Sequence, residues 1–186
     1  MKKLMLIAAL VAAVAANAAD FKWGAANLYD GYNSGTAGYT AAKVDGLTGY
    51  LIFAQDLSQT DALKAFNASE FSTVTDAAAH SYTFSNGAVS ATKTVFEYDA
   101  TVDSAYDAYF VVFTADNKYM YMSAMKEDVL AVATGEASFS FGNQATASQT
   151  LGTGAGTWNA AAVPEPTSGV LLLLGMGALA LRRRRA

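Results

Sequence analysis

Along most of the middle of the chain, apolar and polar residues alternate with a period of two, the spacing that sends successive side chains of a β-strand to opposite faces. Ser81-Tyr82-Thr83-Phe84-Ser85 alternates polar with aromatic, Asn86-Gly87 is a tight-turn signal, and Thr92 to Tyr98 resumes the alternation, which predicts a hairpin. Ala105 to Thr114 contains Tyr109-Phe110-Val111-Val112-Phe113, an unbroken aromatic and β-branched run that predicts a central strand buried on both faces. Asp116-Asn117-Lys118 then turns the chain into a second hairpin arm, Tyr119-Met120-Tyr121-Met122. Ser138 to Phe141 and Gly49 to Ala54 read as further strands, with shorter ones at Phe21 to Trp23 and Val129 to Ala133.

One segment departs from this period. Between Ser58 and Ala68, Ser58 or Thr60 can cap, Asp61 falls in the first turn, and Leu63 and Phe66 recur at helical spacing. A short amphipathic helix is expected there, with another helical turn over Thr75 to His80. The pattern as a whole predicts a mainly antiparallel β-sandwich with a helical insertion between early strands. Asp30 to Gly38 and Asn143 to Gly156 are rich in small and turn-forming residues and read as loops. The expected organisation is a body over residues 19–142 and a Gly/Ser/Thr/Ala linker over 143–162, with separate segments at either end; docking of Trp158 on the sheet would move the boundary of the body later.

The two ends differ from the body in kind. Met1-Lys2-Lys3 is a positive start, Leu4 to Ala15 an apolar core, and Ala16-Asn17-Ala18 a small-x-small cleavage pattern. Residues 1–18 therefore read as a secretory signal peptide, passed through the Sec export machinery, with the mature chain beginning at Ala19. The last 24 residues, 163–186, hold both prolines and all four arginines of the protein. Val163-Pro164-Glu165-Pro166-Thr167-Ser168 is followed by an apolar run over 169–181 and then by Arg182, Arg183, Arg184 and Arg185. An exported chain with this ending is expected to halt in the inner membrane, its arginines on the cytoplasmic side and Pro164-Glu165-Pro166 outside. As a helix, Thr167 to Leu181 reaches about 22 Å against a hydrocarbon core of roughly 30 Å, which suits a transient hold rather than a durable anchor.

This three-part ending resembles the PEP-CTERM sorting signal of bacterial exported proteins. The resemblance covers Val163 to Ala186 only. It implies recognition by an exosortase-like membrane enzyme that cleaves near Pro164-Glu165-Pro166, followed by release to the cell surface or the extracellular space. Proteins of this kind are associated with extracellular polysaccharide and biofilm, which the resemblance offers as a partner and a setting.

Charge and composition narrow the task of the body. Residues 19–163 carry six lysines, no arginine and fifteen acidic residues, a net charge of −9 that the whole-chain value of −4 conceals. Such a surface disfavours nucleic acid and anionic lipid. With no cysteine and a single histidine, His80, the chain offers no thiol nucleophile, no cysteine metal site and no multi-histidine relay. His80 itself reads as a surface or half-buried side chain. No G-x-S-x-G, P-loop or dinucleotide glycine pattern occurs.

Three weaker constellations remain. Glu97, Asp99, Asp103 and Asp107 supply carboxylates of the type that calcium takes, but at no EF-hand spacing, and a solvated acidic loop accounts for them as well. Asp56 and Asp61 are a carboxylate pair of the kind glycosidases use, or simply a loop residue and a helix-start residue. Tyr29, Tyr32, Tyr39 and Trp23 would make a sugar-stacking face, or else core aromatics. No residue is singled out as catalytic, cofactor-binding or metal-binding, and no enzyme activity is expected. Two functions stay open: a structural or adhesive surface protein, and a secreted carbohydrate-binding or carbohydrate-active domain.

Overall fold

The computed structural model describes residues 18–162. Both the N-terminal segment up to residue 17, expected as a signal peptide, and the C-terminal segment from residue 163, with the hydrophobic helices expected in them, lie outside these residues. Ten strands and two α-helices make up the described chain: β1 (Ala18–Ala26), β2 (Thr48–Phe53), α1 (Gln59–Asn67), α2 (Phe71–Asp76), β3 (Ala78–Thr83), β4 (Phe96–Asp99), β5 (Ala105–Phe113), β6 (Tyr119–Met122), β7 (Lys126–Leu130), β8 (Glu136–Asn143), β9 (Leu151–Gly152) and β10 (Thr157–Ala160). Among the described residues no helix is long and apolar enough to cross a membrane.

The strands form two sheets, one of three strands in the order β4-β1-β8 and one of seven in the order β3-β2-β5-β6-β10-β9, with β7 also paired to β5. Strand alternation decides how they stack. Phe21, Trp23 and Phe139 of the small sheet share one core with Leu51, Phe53, Phe110, Val112, Tyr121 and Trp158 of the large sheet. The intervening positions of the same large-sheet strands, Ile52, Tyr109, Val111, Phe113, Met120 and Met122, form a second core with Ala62, Ala65, Phe66 and Val74 of the helices. β5 is therefore buried on both faces, as its unbroken apolar run predicts. The architecture is β-rich with three layers: small sheet, large sheet, helices.

The helical insertion lies between β2 and β3, where the sequence places it. Ser58 is its cap: the Asp61 backbone N–H donates to the Ser58 hydroxyl at 3.1 Å, satisfying one of the free donors at the helix start. The second helix comes earlier than Thr75 to His80. It closes at Asp76, and Ala78–Thr83 is instead strand β3, paired along β2 from Thr48↔Thr83 to Ile52↔Ala78.

Other departures concern partners rather than element types. Asn86 and Gly87 do turn the chain, with φ of 49° and 73°, the left-handed pair that a tight reverse turn requires. The arms then diverge, because β3 pairs with β2 whereas β4 pairs with β1. β7 begins three residues before the strand expected at Val129. The sandwich is also not wholly antiparallel, since β1 runs parallel to β8 and β9 parallel to β10.

The largest correction concerns residues 143–162, expected as a flexible linker. They contain a 3₁₀ turn at Ala147–Gln149 and strands β9 and β10, and β10 lies inside the large sheet, antiparallel to β6 from Thr157↔Met122 to Ala160↔Tyr119. The domain thus continues through these residues, and Trp158 is the reason: its side chain is fully buried in the inter-sheet core.

Candidate functional site

The last described residues are placed by β10 and the two residues after it. Asn159, buried inside the body, locks the approach: its side-chain amide donates to the Gly154, Thr157 and Met120 carbonyls, while its oxygen accepts from the Gly154 N–H at 2.6 Å. Trp158 donates its indole N–H to the Tyr29 carbonyl at 2.7 Å. Past the strand, the Ala161 N–H donates to the Lys118 carbonyl at 2.8 Å and the Ala162 N–H to the Asn67 side-chain oxygen at 3.3 Å. Pro164 is two residues beyond the second of these tethers.

A shallow groove of about 480 Å³ flanks this end of the described chain, walled by Phe71 and Tyr119 with Ala160, Ala161 and Ala162 along one side. Its rim is charge-neutral. Lys118 and Asp116 pair at 3.1 Å, and bonds from the Thr114 hydroxyl and from Lys118 hold the Asp116 carboxyl down at about 2. None of the tethering residues Asn67, Lys118, Ala161 and Ala162 is legible as functional in the sequence. The one available signal was Trp158, a large aromatic in a stretch of small polar residues, since tryptophan is on average highly buried.

The other constellations are not gathered into sites. Trp23 is fully buried in the core, so it cannot belong to a sugar-stacking face. Tyr32 packs edge-on against Trp158 at 4.7 Å, and Tyr39 donates its hydroxyl to Asp30 at 3.0 Å, while the Tyr29 backbone accepts from Trp158. Asp56 accepts from the Tyr98 hydroxyl at 2.7 Å, and burial together with that carboxylate pushes Tyr98 up to about 12. Asp61 is committed to α1, where bonds from Lys64 and Ser58 lower its pKa. The carboxylates at 97 and 99 lie on β4, Asp103 in the following loop, and Asp107 on β5 accepts from the Asp128 N–H at 2.9 Å. Among the described residues, no three histidine or acidic side chains come together as a metal site.

His80 is half-buried on β3, stacked on Phe96 with ring centroids 4.9 Å apart. Its Nδ1 accepts from the Trp23 indole N–H at 3.1 Å, so the neutral ring carries its proton on Nε2. Burial lowers its pKa below the ordinary 6.5. The unfolded chain therefore takes up this proton first as pH falls, so the stabilising contribution is full above about 6.5 and is lost as pH drops through the folded-state value. The unfolding midpoint is expected to fall as pH drops below about 6.5, before most carboxylates titrate. A His80→Asn variant, followed by the same thermal melts, is expected to lose that slope.

Of the processing residues, Ala18 is the first residue of β1, opposite Asp99, whereas Ala16, Pro164, Glu165, Pro166 and Arg182 to Arg185 lie outside the described residues. No curated protein and no solved structure matches the chain. A family model does: the PEP-CTERM protein-sorting motif matches residues 162–185, from the last tethered alanine through Pro164-Glu165-Pro166 to the final arginine. The chain thus carries at its C-terminus a PEP-CTERM sorting motif, the mark of an exported protein recognised by an exosortase-type processing enzyme.

Proposed function

We propose that the protein is a structural or adhesive component of the cell envelope, its β-rich body delivered to the surface or to extracellular polysaccharide once the C-terminal signal is cut. The observation that carries this reading is the sorting motif at residues 162–185, joined directly to an acidic body of net charge −9. Before cleavage the apolar run over 169–181 holds the chain briefly in the inner membrane, with the four arginines inside. The acidic surface favours hydrated, neutral or cation-bridged polymer over anionic lipid.

Mass spectrometry of the surface-exposed protein tests the processing step. The expected mature form begins at Ala19 and ends near Pro164 to Pro166. A surface form that keeps Arg182 to Arg185 in cells containing an exosortase would overturn the reading. Changing Pro164, Glu165 and Pro166 together to alanine is expected to leave the chain in the membrane fraction at precursor mass. For the role of the body, fractionation of the extracellular matrix is decisive: the mature protein should sediment with polysaccharide and be released when the polysaccharide is digested, and recovery wholly in the free medium would count against it.

A further inference from the structure

We propose that the groove beside Ala162, between Phe71, Tyr119 and Ala160 to Ala162, is the surface on which the exosortase-type enzyme rests while it cuts the motif. This rests on the processing reading above and goes beyond it, because it gives the body a part in recognition. The first argument is reach. From Ala162, held at its backbone N–H by Asn67, extended chain spans at most about 14 Å to Pro166. An enzyme that closes around Pro164-Glu165-Pro166 is itself tens of ångströms across, so it meets the body wherever the leash is this short.

The leash can lengthen only slightly. Releasing the tethers at Ala161 and Ala162 frees two residues and extends the reach to about 21 Å. Release then stops at β10, which is paired to β6 on one side and β9 on the other and carries the buried Trp158 and Asn159.

The second argument is the character of the groove. Its walls are an aromatic pair and three alanines, and the Lys118–Asp116 pair cancels charge at the rim. A neutral, apolar hollow suits a protein surface. It offers no cationic group free for an anionic headgroup, and the net charge of the body opposes an anionic membrane. The membrane is also the more distant candidate, since the apolar run begins at Gly169, three residues beyond the motif.

The test is pulse-chase conversion of full-length precursor to mature protein in cells containing the enzyme. A ten-residue Gly/Ser insert between Ala162 and Val163 leaves body and motif intact while removing their enforced proximity. Ala160→Arg places a bulky charge in the groove at an exposed position, and Ala133→Arg, exposed on the loop between β7 and β8 and outside the groove lining, is the control. Both the insert and Ala160→Arg are expected to slow conversion at least fivefold, with Ala133→Arg at the wild-type rate and thermal melts of all three unchanged. Conversion of the insert variant at or above the wild-type rate overturns the proposal, and so does normal conversion of Ala160→Arg. Should Ala160→Arg perturb the melt, the insert result decides alone. Failure of the wild-type precursor to convert would instead overturn the processing reading itself.

Discussion

Trp158→Ala is expected to destabilise the protein by about 3–5 kcal/mol, the range for deleting a large aromatic from a packed core. The indole is fully buried and touches Tyr32 edge-on at 4.7 Å and Tyr121 at 5.5 Å, and its N–H is the donor to the Tyr29 carbonyl. Removing it opens a cavity and leaves that carbonyl without its partner. The loss also falls on the strand that joins β6 to β9, so pairing on both sides of β10 weakens together. Chemical denaturation read by tyrosine and far-ultraviolet signals gives the value. A linker residue would cost under about 0.5 kcal/mol, so the measurement separates the two descriptions of residues 143–162. A loosened β10 would also give the processing enzyme a longer leash, linking stability of the body to handling of the tail.

What the sequence makes legible is what short-range pattern encodes. The unbroken apolar run of β5, the β5–β6 turn, the alternation in β8 and the Ser58-capped helix each declare themselves within a dozen residues. The sorting motif is legible in full for a related reason: a linear address is read by its order of chemical types and needs no fold. Partners of strands are different. β1 pairs Asp20 with Glu97 on one side and with Glu136 on the other, and no local signal connects positions so far apart. Alternation at Phe96 to Asp99 says strand but not which neighbour, and the hairpin it suggests with the adjacent β3 is replaced by pairing with β1. β10 is hard to read for a further reason. Its four residues are set among glycine, serine, threonine and alanine, and its strand character comes from β6 and the core rather than from its own composition. The placement of Ala160 to Ala162 depends on β10, for which Trp158 is the one sequence signal.

Gly31→Ala is expected to cost about 1–3 kcal/mol, at the upper end of that range, although it adds a single methyl group. The two stretches that read as loops, around residues 30–38 and 143–156, meet at this glycine. A Cβ on Gly31 would fall on the Ser148 carbonyl and on the peptide joining Gln149 to Thr150, which are backbone atoms with no rotamer to turn aside. Nor can that backbone readily retreat. The Ser148 hydroxyl accepts from the Tyr29 N–H at 2.8 Å and donates to the Gln144 carbonyl at 2.7 Å, and Gln144 in turn accepts from the buried Tyr121 hydroxyl at 2.6 Å. Relief of the clash would have to break this chain of bonds or lift the Ala147–Gln149 turn away from β10. Gly35→Ala, four residues along the same loop, is the matched control: nothing lies within 4 Å of its added Cβ, and it is expected to stabilise by about 0.4–1 kcal/mol by restricting the unfolded chain. Opposite signs in denaturant unfolding at these two glycines would establish that the segment before the sorting motif is docked, whereas equal and small effects would restore the flexible linker.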